Sequence, residues 1–221
     1  MNNFAIKRLA MALGAATLLS GALTACIPLV IGAGAAGGSL VATDRRTSGA
    51  QLEDEGIELR AGSRLRSNVG DRAHVNVTSY NRQVLLTGEV PTAQDKQLVE
   101  QIVSRVENVA SVVNELGVMG NSSLVQRSSD TLVTGRVKSM LIDAADLYAN
   151  SFKVVTERGT TYLMGRVTQR EADRGTDVVR STPGVQKVIR MFEIISPEEL
   201  ARLLPQPAKP QAAGVKPQPS N

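Results

Sequence analysis

Along residues 53 to 196 the apolar positions switch repeatedly between a helical and an extended period. Ile57, Ala61, Arg64 and Leu65 fall at i, i+4, i+7 and i+8, and so do Val133, Val137, Met140 and Leu141. That spacing predicts two short amphipathic helices, with Met140 on the inner stripe beside Leu141. After each helix the pattern alternates, with Val75 and Val77 on one side of a strand and Phe152 and Val154 on one side of another. Polar turns at Tyr80-Asn81-Arg82 and Glu157-Arg158-Gly159 join each strand to a second, which a glycine interrupts, Gly88 or Gly165. A glycine inside a strand predicts a bulge or a close backbone approach, so both are read as structural. A second helix then opens on a capping pair, Thr92 with Asp95 and Thr168 with Glu171, and is predicted to end at Asn108 or Gly184. Val112–Val118 and Lys187–Ile195 close the two series as last strands.

The two series are one pattern written twice. Val75–Val90 matches Phe152–Val167 at an offset of 77, and Val106–Val118 matches Thr182–Ile194 at an offset of 76. A period this long is not that of a solenoid, so the copies are two domains. The fold class is α+β: two tandem modules, each helix-strand-strand-helix-strand, with both helices on one face of a three-stranded sheet. Modules of about 65 residues are marginal alone, and the two are expected to pack together or lean on a membrane.

The flanks carry a different signal. Lys7 and Arg8 precede an apolar run from Leu9 to about Leu23, which ends in Leu23-Thr24-Ala25-Cys26. Small residues beside a scissile bond, followed by a thiol that accepts diacylglycerol, make a bacterial lipobox with cleavage before Cys26. An uncleaved membrane helix running on through Ala42 is disfavoured by Pro28 and the glycines between Gly32 and Gly38. Ile27, rather than Asp, follows the cysteine and favours the periplasmic face of the outer membrane. The predicted layout is a signal peptide over 1–25, a lipidated flexible tether over 26–52, modules over 53–119 and 130–196 with a linker over 120–129, and a proline-rich disordered tail over 197–221.

Composition narrows the chemistry. The chain has one cysteine, one histidine, three Tyr, three Phe and no Trp. A single His without a Cys partner is a poor start for a metal site, and so few aromatic residues argue against base-stacking platforms. No metal, no cofactor beyond the lipid on Cys26, and no nucleic-acid partner are expected. The net charge of +4 loses two cations with Lys7 and Arg8. His74 reads as a surface histidine, Glu53-Asp54-Glu55 as a solvated helix start, and Arg170, Arg174 and Arg180 as part of a solvated face with their interleaved acids. No catalytic constellation is present, and the protein is expected not to be an enzyme.

The strands VLLTGEV and YLMGRV, the valine run after each second helix, the lipobox and the stretch SDTLVTGRVKSML resemble the BON domain family, in particular its double-domain outer-membrane lipoproteins. The resemblance covers roughly residues 53 to 195. It implies a non-enzymatic protein that binds anionic phospholipid through the first helix of the second domain, supports outer-membrane integrity and concentrates at division sites. Envelope assembly and cell-division proteins are the partners it implies besides lipid.

The residues themselves can be tested against that implication. On a wheel of ~100° per residue, Leu132, Gly135, Ser139 and Ile142 lie opposite the inner stripe, with Arg136 and Lys138 flanking them. Two apolar side chains with adjacent cations suit an interfacial helix. In the first module Gly56 and Arg66 occupy the places of Leu132 and Ile142, so its outward stripe is predicted not to be apolar. Charge points the same way: residues 53–119 carry seven cations and ten anions, net −3, whereas 130–195 carry ten and eight, net +2. The double-domain relatives carry tryptophan at the place of Leu132, and leucine keeps the apolar insertion without the amphipathic ring. The residues alone leave open whether this stripe meets a bilayer, a partner such as an envelope assembly or peptidoglycan-regulating protein, or the first module. The resemblance favours lipid.

Overall fold

A computed structural model of the chain describes residues 44–203. The signal segment, Cys26 and most of the predicted tether and tail lie outside these residues. The first module runs α1 (Ser48–Asn68), β1 (His74–Tyr80), β2 (Gln83–Val90), α2 (Ala93–Ser104), β3 (Ser111–Asn114) and β4 (Gly117–Val118). The second runs α3 (Leu124–Asp143), β5 (Lys153–Glu157), β6 (Thr160–Val167), α4 (Gln169–Arg180) and β7 (Lys187–Ile194), and α5 (Pro197–Leu203) follows it. In each sheet the first two strands are antiparallel and the last pairs parallel to the central one. The predicted last strand of the first module is broken at Glu115-Leu116. The register against β2 is the same on both sides of the break, and Leu116 turns into the core.

The helices exceed their predicted bounds. Thr47 and Ser123 cap α1 and α3 through the amides of Ala50 and Gln126. The ordered chain therefore reaches into both the predicted tether and the predicted linker, and α5 occupies the start of the predicted tail. The second helices, conversely, stop four residues short. Asn108 and Gly184 have positive φ, as expected, but in the turns beyond Ser104 and Arg180. Of the two capping pairs, only Thr168 and Glu171 close a reciprocal box.

Each inner helical stripe begins with a buried aspartate, Asp54 or Asp130, followed by Ile57, Ala61 and Leu65 or Val133, Val137 and Leu141. The solvated reading of Glu53-Asp54-Glu55 is thus wrong for its middle residue. The hairpins turn through positive-φ pairs, Asn81-Arg82 and Arg158-Gly159, which point two amides inward. Asp54 accepts from the amides of Asn81 (2.7 Å) and Arg82 (2.8 Å), and Asp130 from those of Arg158 (2.9 Å) and Gly159 (3.0 Å). A carboxylate on the helix therefore fixes each hairpin, and burial does not leave those amides unpaired.

Three apolar clusters result. One lies between α1, α2 and the inner face of the first sheet, and its counterpart between α3, α4 and the second sheet. The third joins the opposite faces of the two sheets: Tyr80 and Leu85 meet Tyr162, Met164 and Met191. Burying each such side chain contributes about 1.5–3 kcal/mol. The modules pack sheet to sheet, one of the two arrangements expected of their small size.

The segment before α1 staples this seam. Arg45 donates to both oxygens of Glu171 (2.8 and 2.6 Å) and to the Arg166 carbonyl, while Arg46 bonds Asp54 (2.8 Å) and covers the Tyr80 ring. Burial opposes the charge on Glu171, but the bonds from Arg45 and Thr168 overcome it and lower the carboxyl from 4.5 to about 2. A folded-state value below the unfolded one gives stability that is complete above about pH 4.5 and is lost as pH falls toward about 2. Arg45→Ala should cost about 3 kcal/mol in urea unfolding, because it leaves Glu171 buried and unpaired. It should also flatten the acid limb of the stability profile.

Gly88 has φ +110, and a Cβ there would collide with the His74 carbonyl oxygen. Gly165 stands in the same relation to the Ser151 carbonyl. Gly88→Ala should lower stability by about 2 kcal/mol or more, measured by the same unfolding curves.

Candidate functional site

The outer face of α3 is the candidate. Val133, Val137 and Leu141 hold one side of the helix in the core, and Asp130 ties its middle to the second hairpin. Gly184 supports the same face, since its missing side chain leaves room for Val133. With the inner stripe so fixed, the opposite stripe has to face outward. Leu132 is 62% exposed and Ile142 68%, so neither is covered by the first module or by the linker. Gly135, Arg136, Lys138 and Ser139 are exposed as well, and nothing lies within 4 Å of where a Gly135 side chain would begin.

The face is larger than the sequence reading drew it. The two extra turns at the start of α3 add Leu124 (78% exposed) and Val125 (80%), which fall on the same side as Leu132. Leu124, Val125, Ser128, Leu132, Gly135, Ser139 and Ile142 form a stripe about 27 Å long, free of charge up to the exposed Asp143 that ends the helix on the same side. Met140, expected inside, is 39% exposed and widens the apolar area at one flank. At 100° per residue it sits beside the inner stripe rather than within it, and Leu141 takes the core position. The signal that would have revealed the added turns was Ser123, a capping residue directly before Leu124-Val125.

Arg136 and Lys138 make no ion pair among the described residues, in contrast with the arginines of α4. Arg170 and Arg174 pair with Asp146, and Arg180 with Asp177, on the expected solvated face, but Glu171, read as one of its acids with Asp173 and Asp177, is instead buried against Arg45. Lys138 and Ile142 also line a shallow groove with Arg46, Tyr80 and Lys153. The corresponding helix α1 is a partial exception to its predicted character. Leu52 and Leu59 are largely exposed there, but Glu55 and Arg66 share their side of the helix. On α3 the corresponding face carries a charge only at its last residue, Asp143, and is flanked by the unpaired Arg136 and Lys138.

His74 is not a free surface residue. It opens β1, half-buried, with Nδ1 3.0 Å from Glu89 Oε2, and Glu157 lies close to both. No described helix is long and apolar enough to cross a membrane.

The BON domain signature matches residues 53–120 and again 129–196. The outer membrane lipoprotein DolP of Haemophilus influenzae is 38% identical over 192 residues, covering 86% of this chain and 97% of its own. A 21 kDa hemolysin of Actinobacillus pleuropneumoniae is 31% identical over 154 residues, 69% of this chain and 79% of its own. Among solved structures, the C-terminal domain of CdsD, a structural protein of the Chlamydia trachomatis type III secretion system, aligns at 12% identity with a TM-score of 0.27 over 62% of this chain and 96% of that one. With two matched domains and a relative alike over nearly its whole length, the chain belongs to the BON domain family, among its double-domain outer-membrane lipoproteins.

Proposed function

We propose that this protein is a non-catalytic membrane-surface module, in which α3 lies in the headgroup region of an anionic bilayer and so supports outer-membrane integrity. The observation that carries the reading is the exposed stripe from Leu124 to Ile142 with unpaired Arg136 and Lys138 at its sides. Apolar side chains spread along the whole helix favour a helix lying in the membrane plane rather than one entering by its end. Each cation near an anionic surface adds about 1 kcal/mol. These contributions are small singly, and a lipid on Cys26 would raise the effective concentration enough to make them count. The +2 charge of the second module and the −3 of the first would turn the second module toward the lipid.

The absence of tryptophan from the chain supplies a clean reporter. Leu132→Trp, in the full chain reconstituted into vesicles of phosphatidylethanolamine and phosphatidylglycerol, should show blue-shifted emission that brominated acyl chains quench. Vesicles of phosphatidylcholine alone should give a clearly weaker shift. In the otherwise native chain, hydrogen exchange over residues 124–143 should slow on the anionic vesicles, and Leu132→Glu should abolish that protection with the fold intact. Unshifted emission together with unchanged exchange would refute the bilayer contact and favour a protein partner for the same face.

A further inference from the structure

The two ends of the sheet-to-sheet seam are related by the internal repeat but differ in chemistry. At one end the seam-facing side chains are Ser151, Lys153, Arg166 and Tyr80; at the other, each 77 residues away, are His74, Asn76, Glu89 and Glu157. The first end is cationic and closed by its own acids: Lys153 bonds Glu58, Arg166 bonds Glu193 and Glu199, and Arg45 bonds Glu171. At the second end, three positions that carry Ser, Arg and Tyr in the copy carry His, Glu and Glu instead. The metal-ligating types are gathered at a single end of a duplicated frame.

We propose that His74 Nδ1, Glu89 and Glu157 form a binding site for a divalent transition cation of the zinc type, bridging the two modules. Each residue can bring one ligand atom, and these atoms all lie within 4.8 Å of one another. His74 Nδ1 and Glu89 Oε2 are already 3.0 Å apart, the separation of two neighbouring ligands on one ion. Glu89 is fully buried, and Glu157 is 8% exposed. One imidazole and two carboxylates suit zinc better than magnesium, which prefers oxygen ligands alone.

The surroundings hold the ligands, and of the two carboxylates only Glu89 is paired with an arginine. Asn76 donates to Glu157 Oε2 (2.8 Å), and the Ser122 amide and hydroxyl donate to Glu89 Oε2 (3.1 Å each), the outer bonds that orient ligating side chains. Arg158 reaches Glu89 Oε1 (3.2 Å), but its side chain is 45% exposed and sits at the rim of the cluster. Glu157 has no bonded cation among the described residues. An ion there would satisfy an excess of buried negative charge that the protein's own arginines leave in place. Because Glu157 belongs to the second module and the other two ligands to the first, the ion would clamp the seam opposite the Arg45–Arg46 staple.

The test is zinc binding by the detergent-purified full chain, in competition with a chromophoric chelator. One equivalent should bind at this site, magnesium should not displace it, and zinc should raise the thermal midpoint. Glu157→Gln and His74→Asn should each weaken binding at least tenfold, while Ser151→Ala, at the repeat-equivalent of His74, should leave it unchanged. Cys26 is common to all four proteins, so zinc held there cancels in the comparison. Circular dichroism matching the native chain would show that the two ligand variants still fold. Equal zinc affinity in the native chain and both ligand variants, or no zinc bound by any of them, would overturn the proposal.

Discussion

The fold depends on the second face of each central strand. A three-stranded sheet with two helices can bury only one side, and a module of this size has little core to spare. Here the sides left bare by the helices meet each other, with Leu85 on one sheet and Tyr162, Met164 and Met191 on the other. β2 and β6 are consequently buried on both faces. That packing gives the two small modules a shared apolar cluster, and it commits the helices to the outer layers. An outward-facing α3 follows from where the sheets spent their apolar faces.

Polar groups then define how the unit is closed. Asp54 and Asp130 reach from helix to hairpin and read the inward amides of two positive-φ turns. The staple uses Arg45 and Arg46 to reach one module each, through Glu171 and Asp54. Buried charges of this kind do little for stability as isolated pairs, but removing one partner is costly because the other stays buried. They fix which way the modules sit. The duplicated frame has two seam ends, and the change from Lys153 and Arg166 at one to Asn76 and Glu89 at the other shows how a repeat diverges: the framework glycines and aspartates stay, while side chains facing the seam change.

The exposed stripe on α3 and the stapled segment before α1 bear on the same problem. A lipoprotein is held at a membrane by its acyl chains, which restrict distance but not orientation. A helix whose apolar side is unclaimed by the protein's interior supplies orientation. The closing turns of α3, with Lys138 and Ile142, share a groove with Arg46. Asp44, the first described residue, lines the same groove.

The sequence by itself determined the repeat, the element order, the helix-facing stripes and the capping residues, because these depend on period and on local hydrogen bonding. It also placed Leu132 and Ile142 opposite the core, since a helix with one side buried has only one other side. It misplaced Met140, at the edge of the stripe, where a wheel cannot tell flank from core. Asp54 and His74 were misread because a charge or a lone imidazole in sequence carries no record of what lies across the fold; their partners are contributed by a hairpin and a strand many residues away. The apolar run Val84-Leu85-Leu86, continuous where a half-exposed strand would alternate, was the local trace of a strand buried on both faces. Only the tertiary structure decided what covered the second face, and with it which helix surface remained exposed and which side chains were brought together at the seam. Those choices depend on contacts between residues 69 to 126 positions apart, beyond the range of any local pattern.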